Sequence, residues 1–382
     1  MIFVHILIED LLTTDYGDPN TDGHVNYFQS RDFQPKEKKT ILFWTPMFFS
    51  WNPYFTAMKE IEKCKNNFTC EITTDKERLQ EADAIVFHCM DIMPWTSLPK
   101  FRHPSQVWVV WCTEPPTKIW NSLHGYRFLF NWTMHYRSDS TIFAPWARFR
   151  KLEKHEIRNK DLRDILKTKR NGIVLRNSNC YDDNQRYRLF DQLKKYLNFD
   201  FYGSCGNLVC QRDDPHCGEK ISSYKFSIQF ENSYCKDYVS EKYYDALLMR
   251  QIPIVNWKKG QMVHQVIPHS YINMDDFPSI KDAAEYIQRV NNDDALYLSY
   301  FEWTKIYDIH FNNYWLQFCF LCKELHNPKR PAQVIVDLNA WFSDDICPKG
   351  SVGIHKYISV NERQTRNSKS DFENHNQKVN KF

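Results

Sequence analysis

Glycine is scarce in this chain. There are ten glycines in 382 residues, fewer than half the number that the usual frequency of about 7% would give. Neither the G-x-x-x-x-G-K-[ST] phosphate loop nor the G-x-G-x-x-G fingerprint is present, which excludes the commonest nucleoside triphosphatase and dinucleotide-binding sites. Any nucleotide that binds must therefore be held by side chains and helix N-termini.

The chain also lacks a strong charge bias and a long apolar run at its N-terminus. Fifty Lys and Arg residues oppose 47 Asp and Glu residues, so the formal charge of +3 predicts no nucleic-acid binding and no polybasic membrane patch. The apolar stretch at residues 2–8 is interrupted by His5 and ends at Glu9, well short of the ~20 residues that a membrane span needs. No clear transmembrane helix is predicted.

Cysteine, by contrast, is plentiful. The chain has twelve cysteines and two N-glycosylation sequons, at Asn67 and Asn131, and together they predict the secretory pathway and an oxidising compartment. Cys319 and Cys322 form a C-x-x-C pair that looks like half of a zinc site, but no second pair or nearby histidine pair completes it. Structural disulfides are the better interpretation.

A second cysteine cluster lies at Cys205, Cys210 and Cys217. We expect one pair within this cluster to form a disulfide, with Cys205 and Cys217 as candidates. The sequence alone leaves the pairing open.

The length of the chain predicts two domains, each large enough to bury its own core. Residues 148–170 are dense in charge, and we interpret them as the connection between the domains, in the form of a solvated helix. The predicted organisation is a stem over residues 1–39, a first domain over 40–165, a second domain over 166–325, and a C-terminal extension over 326–382 that is largely disordered after residue 350.

Strand and helix patterns alternate in both halves, which predicts an α/β fold with parallel sheets. Apolar and alternating runs predict strands at residues 40–44, 83–88, 106–111, 172–175, 199–202, 226–230 and 252–255. Amphipathic spacing predicts helices at residues 185–197, from Ser240 onward, at 279–290 and at 296–307.

Residues 226–255 carry the most informative pattern. A strand ends in a polar turn that begins at Glu231, and Ser240 then marks the start of a helix. Lys242 falls in the first helical turn, where a cation opposes the helix dipole by roughly 0.3 to 1 kcal/mol. Its position therefore fits a bound anion such as a phosphate, although an isolated Lys on a helix is more often a solvated surface residue.

The thirteen residues 230–242, FENSYCKDYVSEK, closely resemble the donor-binding motif of the α1,3-fucosyltransferase family. Further stretches resemble the family, in order, at residues 106–116, 130–145, 178–193 and 297–303. The resemblance implies a GT-B fold, in which two Rossmann-like domains face each other across a cleft. It also implies an inverting enzyme that transfers L-fucose from GDP-fucose to a hydroxyl, expected to be O3, of N-acetylglucosamine in glycoprotein N-glycans.

The donor residues follow from this resemblance. Sugar transfer leaves negative charge on the departing diphosphate, so cations must lie beside it. Arg186 and Lys242 match the family's cations, and Arg186 at a helix start could bind phosphate oxygens with two N–H groups. The other residues that the resemblance assigns to the donor are Tyr224, Lys225, Glu231, Asn232, Tyr238 and Glu241. For Glu231, a turn residue that accepts backbone N–H groups is the structural alternative.

The resemblance assigns the general base to Glu114. This residue follows the strand at 106–111 and precedes Pro115 and Pro116. Two fixed φ angles stiffen its loop, which suits a base that must be held in place. A salt-bridged loop carboxylate is the alternative.

Two further sets of residues follow from the resemblance. Tyr136, Arg137 and Asp139 are expected to shape the cleft or the acceptor site, and Arg137 and Asp139 could equally form a structural ion pair. The C-terminal C-x-x-C pair is expected to be tied by disulfides to two cysteines of the first domain, for which Cys64 and Cys70 are the candidates.

The acidic pairs at residues 182–183, 275–276 and 344–345 lack the D-x-D arrangement that holds a divalent cation in other glycosyltransferases. We expect no tightly bound metal, while Mn2+ or Mg2+ could stimulate through the nucleotide. The resemblance implies a membrane-anchored protein of the Golgi. Two other functions stay open, a catalytically inactive relative that binds glycans or GDP-sugars, and an extracellular interaction protein. Oligomeric state is open as well.

Overall fold

The computed structural model describes residues 37–64, 68–93, 96–119, 123, 125–180, 186–210, 214–258, 266–311, 317–329, 332–343, 346 and 347. The chain divides into two compact units, residues 1–149, 235–239 and 309–347 in the first and residues 150–234, 240–308 and 348–382 in the second. The division thus falls after residue 149 rather than 165, and residues 309–325 group with the first unit. Residues 1–36 of the predicted stem and the predicted disordered tail lie outside the described residues.

In chain order the strands are β1 (Lys38–Phe43), β2 (Thr69–Thr73), β3 (Ala84–His88), β4 (Val107–Trp111), β5 (Trp132–His135), β6 (Ile142–Phe143), β7 (Ala147–Lys151), β8 (Arg170–Arg176), β9 (Asp200–Tyr202), β10 (Tyr224–Ile228), β11 (Ile252–Val255), β12 (Ile272–Asn273) and β13 (Tyr307–Phe311). The helices are α1 (Asn52–Glu60), α2 (Arg163–Leu166), α3 (Arg186–Leu193), α4 (Pro215–Ser222), α5 (Glu241–Leu248), α6 (Ile280–Asn292), α7 (Asp294–Ser299), α8 (Trp303–Ile306), α9 (Phe318–Leu325) and α10 (Leu338–Ser343).

The first unit is built on a six-stranded sheet with the order β2-β1-β3-β4-β5-β6. All its pairings are parallel. Strands β3 and β4 are buried along their whole length, because their uninterrupted apolar sequences place apolar side chains on both faces. One hydrophobic core therefore covers each face of the sheet, with Val107, Val109 and Trp111 in one core and Trp108 and Val110 in the other.

The second unit is built on a five-stranded parallel sheet with the order β12-β11-β10-β8-β9. In both sheets the first strand lies between the second and the third, which is a common order of doubly wound α/β folds. The larger core of the second unit packs α3 and α6 against the sheet through Leu189, Leu193 and Ile287. The predicted α/β class with parallel sheets is confirmed.

Most predicted elements are present with shifted ends, but the interpretation of residues 148–170 as one helix is wrong. This stretch contains the end of β7, a 3-10 turn at Lys154–Glu156 and the four-residue α2. Its charges pair locally, as Arg150 with Glu156 and Arg163 with Asp161. A stretch that is dense in charged residues can therefore consist of short strands, turns and helices rather than one long helix. None of the described helices is long and apolar enough to span a membrane.

Six disulfides join all twelve cysteines. The pairing of the C-terminal C-x-x-C with Cys64 and Cys70 is confirmed, as Cys64–Cys319 and Cys70–Cys322. In the second cluster one pair does bridge, but it is Cys210–Cys217. Cys205 pairs outside the cluster instead. The bridges that the sequence did not reveal are Cys180–Cys205, Cys89–Cys112 and Cys235–Cys347.

Replacing the four cysteines of the two long-range bridges by serine should lower the free energy of unfolding of the first unit by about 5 kcal/mol, because loop-closure entropy grows with the logarithm of loop length. These bridges join residues 255 and 252 positions apart. Opening Cys210–Cys217, which spans seven positions, should cost about 2 kcal/mol. Calorimetry of the secreted variants measures both losses, and equal losses would contradict the loop-length argument.

Candidate active site

The second sheet reverses its strand order between β8 and β10. Because β8 continues to β9 on one side and β10 continues to β11 on the other, the chain leaves the carboxyl ends of β8 and β10 in opposite directions. In open α/β sheets this position forms the crevice where ligands bind. Of the predicted donor residues, Arg186 follows β8, and Glu231, Asn232, Glu241 and Lys242 follow β10.

Arg186 is the first residue of α3, and its side chain is buried. Its Nη1 donates to the carbonyl oxygen of Phe230 at 3.2 Å, while Nη2 donates to Asn177 Oδ1 at 3.1 Å and to the carbonyl oxygen of Asn179 at 3.0 Å. The guanidinium thus joins the loop after β8 to the end of β10. Arg186 organises this crevice in addition to bringing a positive charge to it.

Glu231 is fully buried just beyond the end of β10. Its Oε1 accepts the backbone N–H of Ser240 at 2.8 Å, and its Oε2 accepts the Ser240 hydroxyl at 2.9 Å. Burial raises the pKa of Glu231, while the Lys242 ammonium and the Ser240 N–H oppose that rise. The carboxylate therefore fixes the end of β10 to the residue that caps α5. This is the structural role that the sequence left open for Glu231, a turn residue that accepts a backbone N–H group.

Lys242 lies in the first turn of α5, surrounded by oxygen atoms. Its Nζ donates to Ser240 Oγ at 2.9 Å and lies 3.6 Å from Glu231 Oε2 and 3.3 Å from Glu241 Oε1. Burial by itself would lower the pKa of Lys242, but the two carboxylates outweigh burial and raise it. Lys242 is therefore charged, and protein carboxylates offset its unfavourable position at the positive end of the helix dipole.

Asn232 carries a polar atom that the described residues leave unused. Its Oδ1 is buried and has no hydrogen-bond partner among them, and such an acceptor costs about 1–3 kcal/mol. A ligand hydroxyl or N–H group would remove this cost. Asn232 is thus a direct candidate for ligand contact.

Asn256 supports the same turn, a role that the sequence motifs do not predict. It follows β11, its Oδ1 accepts the backbone N–H of Glu231 at 3.2 Å, and its Nδ2 donates to the Tyr234 hydroxyl at 2.6 Å. The available signal was its position, since it is a polar residue directly after a buried strand.

The structure does not bring Tyr224 and Lys225 to this crevice. Both begin β10, at the amino end of the sheet. Lys225 Nζ contacts Asp294 Oδ1 and the carbonyl oxygen of Asn291, each at 2.9 Å, and the Tyr224 hydroxyl donates to Asp200. Tyr224 also lines a cavity of about 630 Å³ near the amino ends of β8 and β10. This placement conflicts with a donor role for either residue, because the other donor residues follow carboxyl ends.

Tyr238 belongs to a segment, residues 235–239, that groups with the first unit. Its ring packs against Tyr136 with 5.1 Å between centroids. The segment is joined to the first unit by the Cys235–Cys347 disulfide, and Asp237 Oδ2 accepts the Ser138 backbone N–H at 3.0 Å. The structure therefore places Tyr238 among first-unit residues.

Glu114 lies just beyond the carboxyl end of β4 in the first sheet. Cys112, two residues before it, is disulfide-bonded, and a proline-led 3-10 turn at Pro116–Lys118 follows. His135 Nε2 lies 3.3 Å from the Glu114 carbonyl oxygen. The backbone around Glu114 is thus fixed at the edge of the sheet where α/β proteins bind ligands.

Arg137 and Asp139 form an ion pair within the first unit. Arg137 Nε donates to Asp139 Oδ1 at 2.9 Å, and Nη2 donates to Oδ2 at 2.6 Å. The guanidinium also stacks 4.1 Å from the centre of the Trp341 ring and is almost completely buried. Of the two roles that the sequence left open for this pair, the contacts favour the structural one.

The structure describes the asparagine of the second sequon but not that of the first. Asn67 lies outside the described residues. Asn131 Nδ2 donates to the carbonyl oxygen of Gln333 at 3.0 Å, and its Oδ1 accepts the Trp108 backbone N–H at 2.8 Å. These bonds orient the Asn131 side chain, and a glycan on Nδ2 would leave one N–H group to donate to Gln333.

One group of side chains within the described residues has its atoms close enough to hold a metal ion, formed by Cys70, Cys322 and His326. The two cysteines are joined in a disulfide and are not available as thiolate ligands. The acidic pairs at residues 182–183 and 344–345 lie outside the described residues.

Family models match both parts of the chain. The model described as "Fucosyltransferase, N-terminal" matches residues 36–147, and "Glycosyltransferase family 10 (fucosyltransferase) C-term" matches residues 166–341. The chain belongs to glycosyltransferase family 10. The resemblance seen in residues 230–242 is thereby confirmed, and this family 10 protein is a fucosyltransferase.

Individual relatives agree with the family assignment. Alpha-(1,3)-fucosyltransferase C of Drosophila melanogaster is 31% identical over 348 residues, which cover 84% of this chain and 79% of the relative. The 3-galactosyl-N-acetylglucosaminide 4-alpha-L-fucosyltransferase FUT3 of Pongo pygmaeus is 34% identical over 281 residues, which cover 72% and 73% of the two chains.

A crystal structure of an alpha1,3-fucosyltransferase with GDP-fucose matches with a TM-score of 0.50 and 16% identity, over 80% of this chain and 96% of that one. At this identity the match shows the fold alone, which is the GT-B fold of the sequence prediction.

Replacing Lys242 by Met should destabilise the protein by about 2–3 kcal/mol near pH 7.5, because Glu231 then lies buried without its cation. The missing cation raises the pKa of Glu231 further above its unfolded value, so stability is lost as pH rises through the folded-state pKa. The loss in melting temperature should therefore be smaller at pH 4 than at pH 7.5. The matched control is Lys281→Met, which removes an exposed ion pair with Glu285 and should show no such pH dependence. Equal losses at both pH values for Lys242→Met would contradict the assigned pairing.

Proposed function

We propose that this family 10 enzyme is an inverting α1,3-fucosyltransferase that transfers L-fucose from GDP-fucose to O3 of N-acetylglucosamine in glycoprotein N-glycans. The observation that carries the proposal is the arrangement at the switch point of the second sheet. There, the charged side chains of Arg186 and Lys242 and the unsatisfied Asn232 oxygen follow the carboxyl ends of neighbouring strands.

The donor half of the reaction belongs to the second unit. The departing GDP takes the electron pair of the anomeric C–O bond, and its diphosphate gains negative charge in the transition state. Lys242, which pairs with Glu231 and Glu241, brings an ammonium group to the start of α5, where backbone N–H groups also favour phosphate. Arg186 adds a second positive charge while holding the crevice together. Asn232 and Glu241 then contact the sugar or the ribose.

The acceptor half belongs to the first unit. The Glu114 carboxylate takes the proton from the acceptor hydroxyl, and the resulting oxygen attacks the anomeric carbon from the face opposite GDP. One displacement of this kind inverts the configuration at that carbon. A base of this kind contributes roughly 10²- to 10⁴-fold to rate.

The names of the relatives support the acceptor class that we propose. One relative is named for α-(1,3) transfer, and the other is named a 4-alpha-L-fucosyltransferase that acts on a 3-galactosyl-N-acetylglucosaminide. We place the enzyme in the Golgi lumen, anchored to the membrane, and six disulfides fit the oxidising conditions of the secretory pathway. Neutralisation of the diphosphate by Lys242 and Arg186 leads us to propose that no protein-bound metal is needed.

Expression in a secretory host, followed by incubation with GDP-fucose and either an N-glycan core or an N-acetyllactosamine acceptor, tests the proposal. We expect a fucosylated product whose linkage, determined by NMR, is to O3 with the α configuration. Activity should persist in a chelator, because side chains neutralise the diphosphate. Transfer to O4 would contradict the proposed O3 linkage. GDP-fucose binding without turnover would instead indicate a catalytically inactive relative.

Glu114→Gln should lower kcat by about 10²-fold or more while leaving the affinity for GDP-fucose within about twofold, because the change removes only the proton acceptor. Isothermal titration with GDP-fucose and steady-state kinetics measure the two effects separately. The control is Glu302→Gln, an exposed carboxylate paired with Lys305, which should behave as the unchanged enzyme. Full activity in Glu114→Gln would remove Glu114 from the mechanism.

A further inference from the structure

His135 has two hydrogen bonds that together determine where its proton lies. It ends β5, next to β4, and its side chain is almost completely buried. The backbone N–H of Arg137 can only donate, so Nδ1, 3.3 Å away, must be the accepting nitrogen. The proton of the neutral ring is therefore on Nε2, which lies 3.3 Å from the carbonyl oxygen of Glu114.

The surroundings of His135 keep the ring neutral and in place. Burial lowers the pKa of His135 to about 3, with Arg137 lowering it further and the Glu114 carbonyl oxygen and Asp139 opposing the change. The ring packs against Tyr136 in a tilted arrangement, with 3.9 Å between centroids and 36° between the ring planes. The rings of Trp341 and Phe342 meet it edge-on at 5.5 and 5.4 Å. Packing thus restricts the orientation of the imidazole, and its two hydrogen bonds set the tautomer.

We propose that His135 is a positioning residue for the Glu114 base, acting by donating its Nε2–H to the Glu114 backbone carbonyl. The inference rests on the proposed role of Glu114. On one side of Glu114 the chain is held at Cys112 by a disulfide, and on the other side it is held by prolines. His135 donates to the peptide oxygen of Glu114 itself, so it helps to set the plane from which the carboxylate projects.

The geometry explains why this contact matters for rate. A base must approach the acceptor hydroxyl within hydrogen-bond distance, about 2.6–3.2 Å. A displacement of about 1 Å can reduce the rate by about 10²-fold. The hydrogen bond to the peptide oxygen holds the backbone of a residue that lies in a bend, outside the helices and strands. Its loss should therefore reduce kcat without changing the donor affinity.

Two variants of similar polarity distinguish the effect of the hydrogen bond to Glu114 from that of the hydrogen bond to Arg137. His135→Gln keeps an N–H group close to the Nε2 position and should retain kcat within about threefold. His135→Asn places its amide nearer to Nδ1, where it can accept the Arg137 N–H but cannot reach Glu114. We expect kcat in His135→Asn to fall by roughly 10- to 100-fold, with the dissociation constant for GDP-fucose unchanged. Should His135→Asn not be secreted in folded form, His135→Phe replaces it, since it keeps the aromatic packing.

A double-mutant cycle distinguishes positioning from a general structural effect. If His135 acts through Glu114, adding His135→Asn to Glu114→Gln should cause almost no further loss of kcat. The packing control is Phe342→Leu, which alters the ring contact with His135 and leaves the Glu114 bond in place. It should lower the melting temperature without a comparable loss of kcat.

The outcomes separate the two proposals. Unchanged kcat in His135→Asn, equal losses in His135→Asn and His135→Gln, or a full additional loss in the double mutant would each overturn the role of His135. Full activity in Glu114→Gln alone would overturn the proposed base, and His135 would then have no catalytic group to position.

Discussion

The buried carboxylate of Glu231 is the constraint on which the donor side of this protein depends. It accepts both the backbone N–H and the hydroxyl of Ser240, and so joins the carboxyl end of β10 to the cap of α5. A buried carboxylate is costly unless hydrogen bonds and a cation compensate it. Lys242 is that cation, at 3.6 Å. The requirement to satisfy one buried charge therefore brings a second charge to the N-terminus of a helix, where a diphosphate can bind.

The contacts of Lys242 differ from what its sequence position suggests. From sequence, a cation at the positive end of a helix dipole suggested a missing anion. The structure supplies two anions from the protein, Glu231 and Glu241, so the charge of Lys242 is balanced before any ligand arrives. The stronger sign of a ligand is Asn232, whose buried Oδ1 has no partner among the described residues. A ligand that satisfies Asn232 need not break the ion pairs, because these two features use different atoms.

The sequence predicts those parts of the fold that follow from short-range patterns. The apolar run at 106–111 identifies β4 because a strand buried on both faces needs apolar side chains at every position. The pattern at 226–248 predicts the strand, the turn and the capped helix on which Glu231 and Lys242 lie, because these three elements are neighbours in the chain. Tyr224 and Lys225 are close to the motif in sequence, yet a strand of five residues carries them to the other edge of the sheet. Asn256 and His135 could not be found in this way, since their partners are 25 and 21 residues away.

Contacts between residues that are distant in the chain also hold the loop that carries Glu114. A loop carboxylate gains catalytic use only if the scaffold defines its position, because loops are otherwise the most mobile part of an α/β fold. Here the scaffold acts through a disulfide between the residue after β3 and the residue after β4, through fixed proline φ angles, and through a ring at the end of β5. Each of these constraints comes from a strand next to β4 or from the chain beside Glu114. The parallel sheet thus does more than bring strand ends together, since adjacent strands also hold the loop that one of them carries.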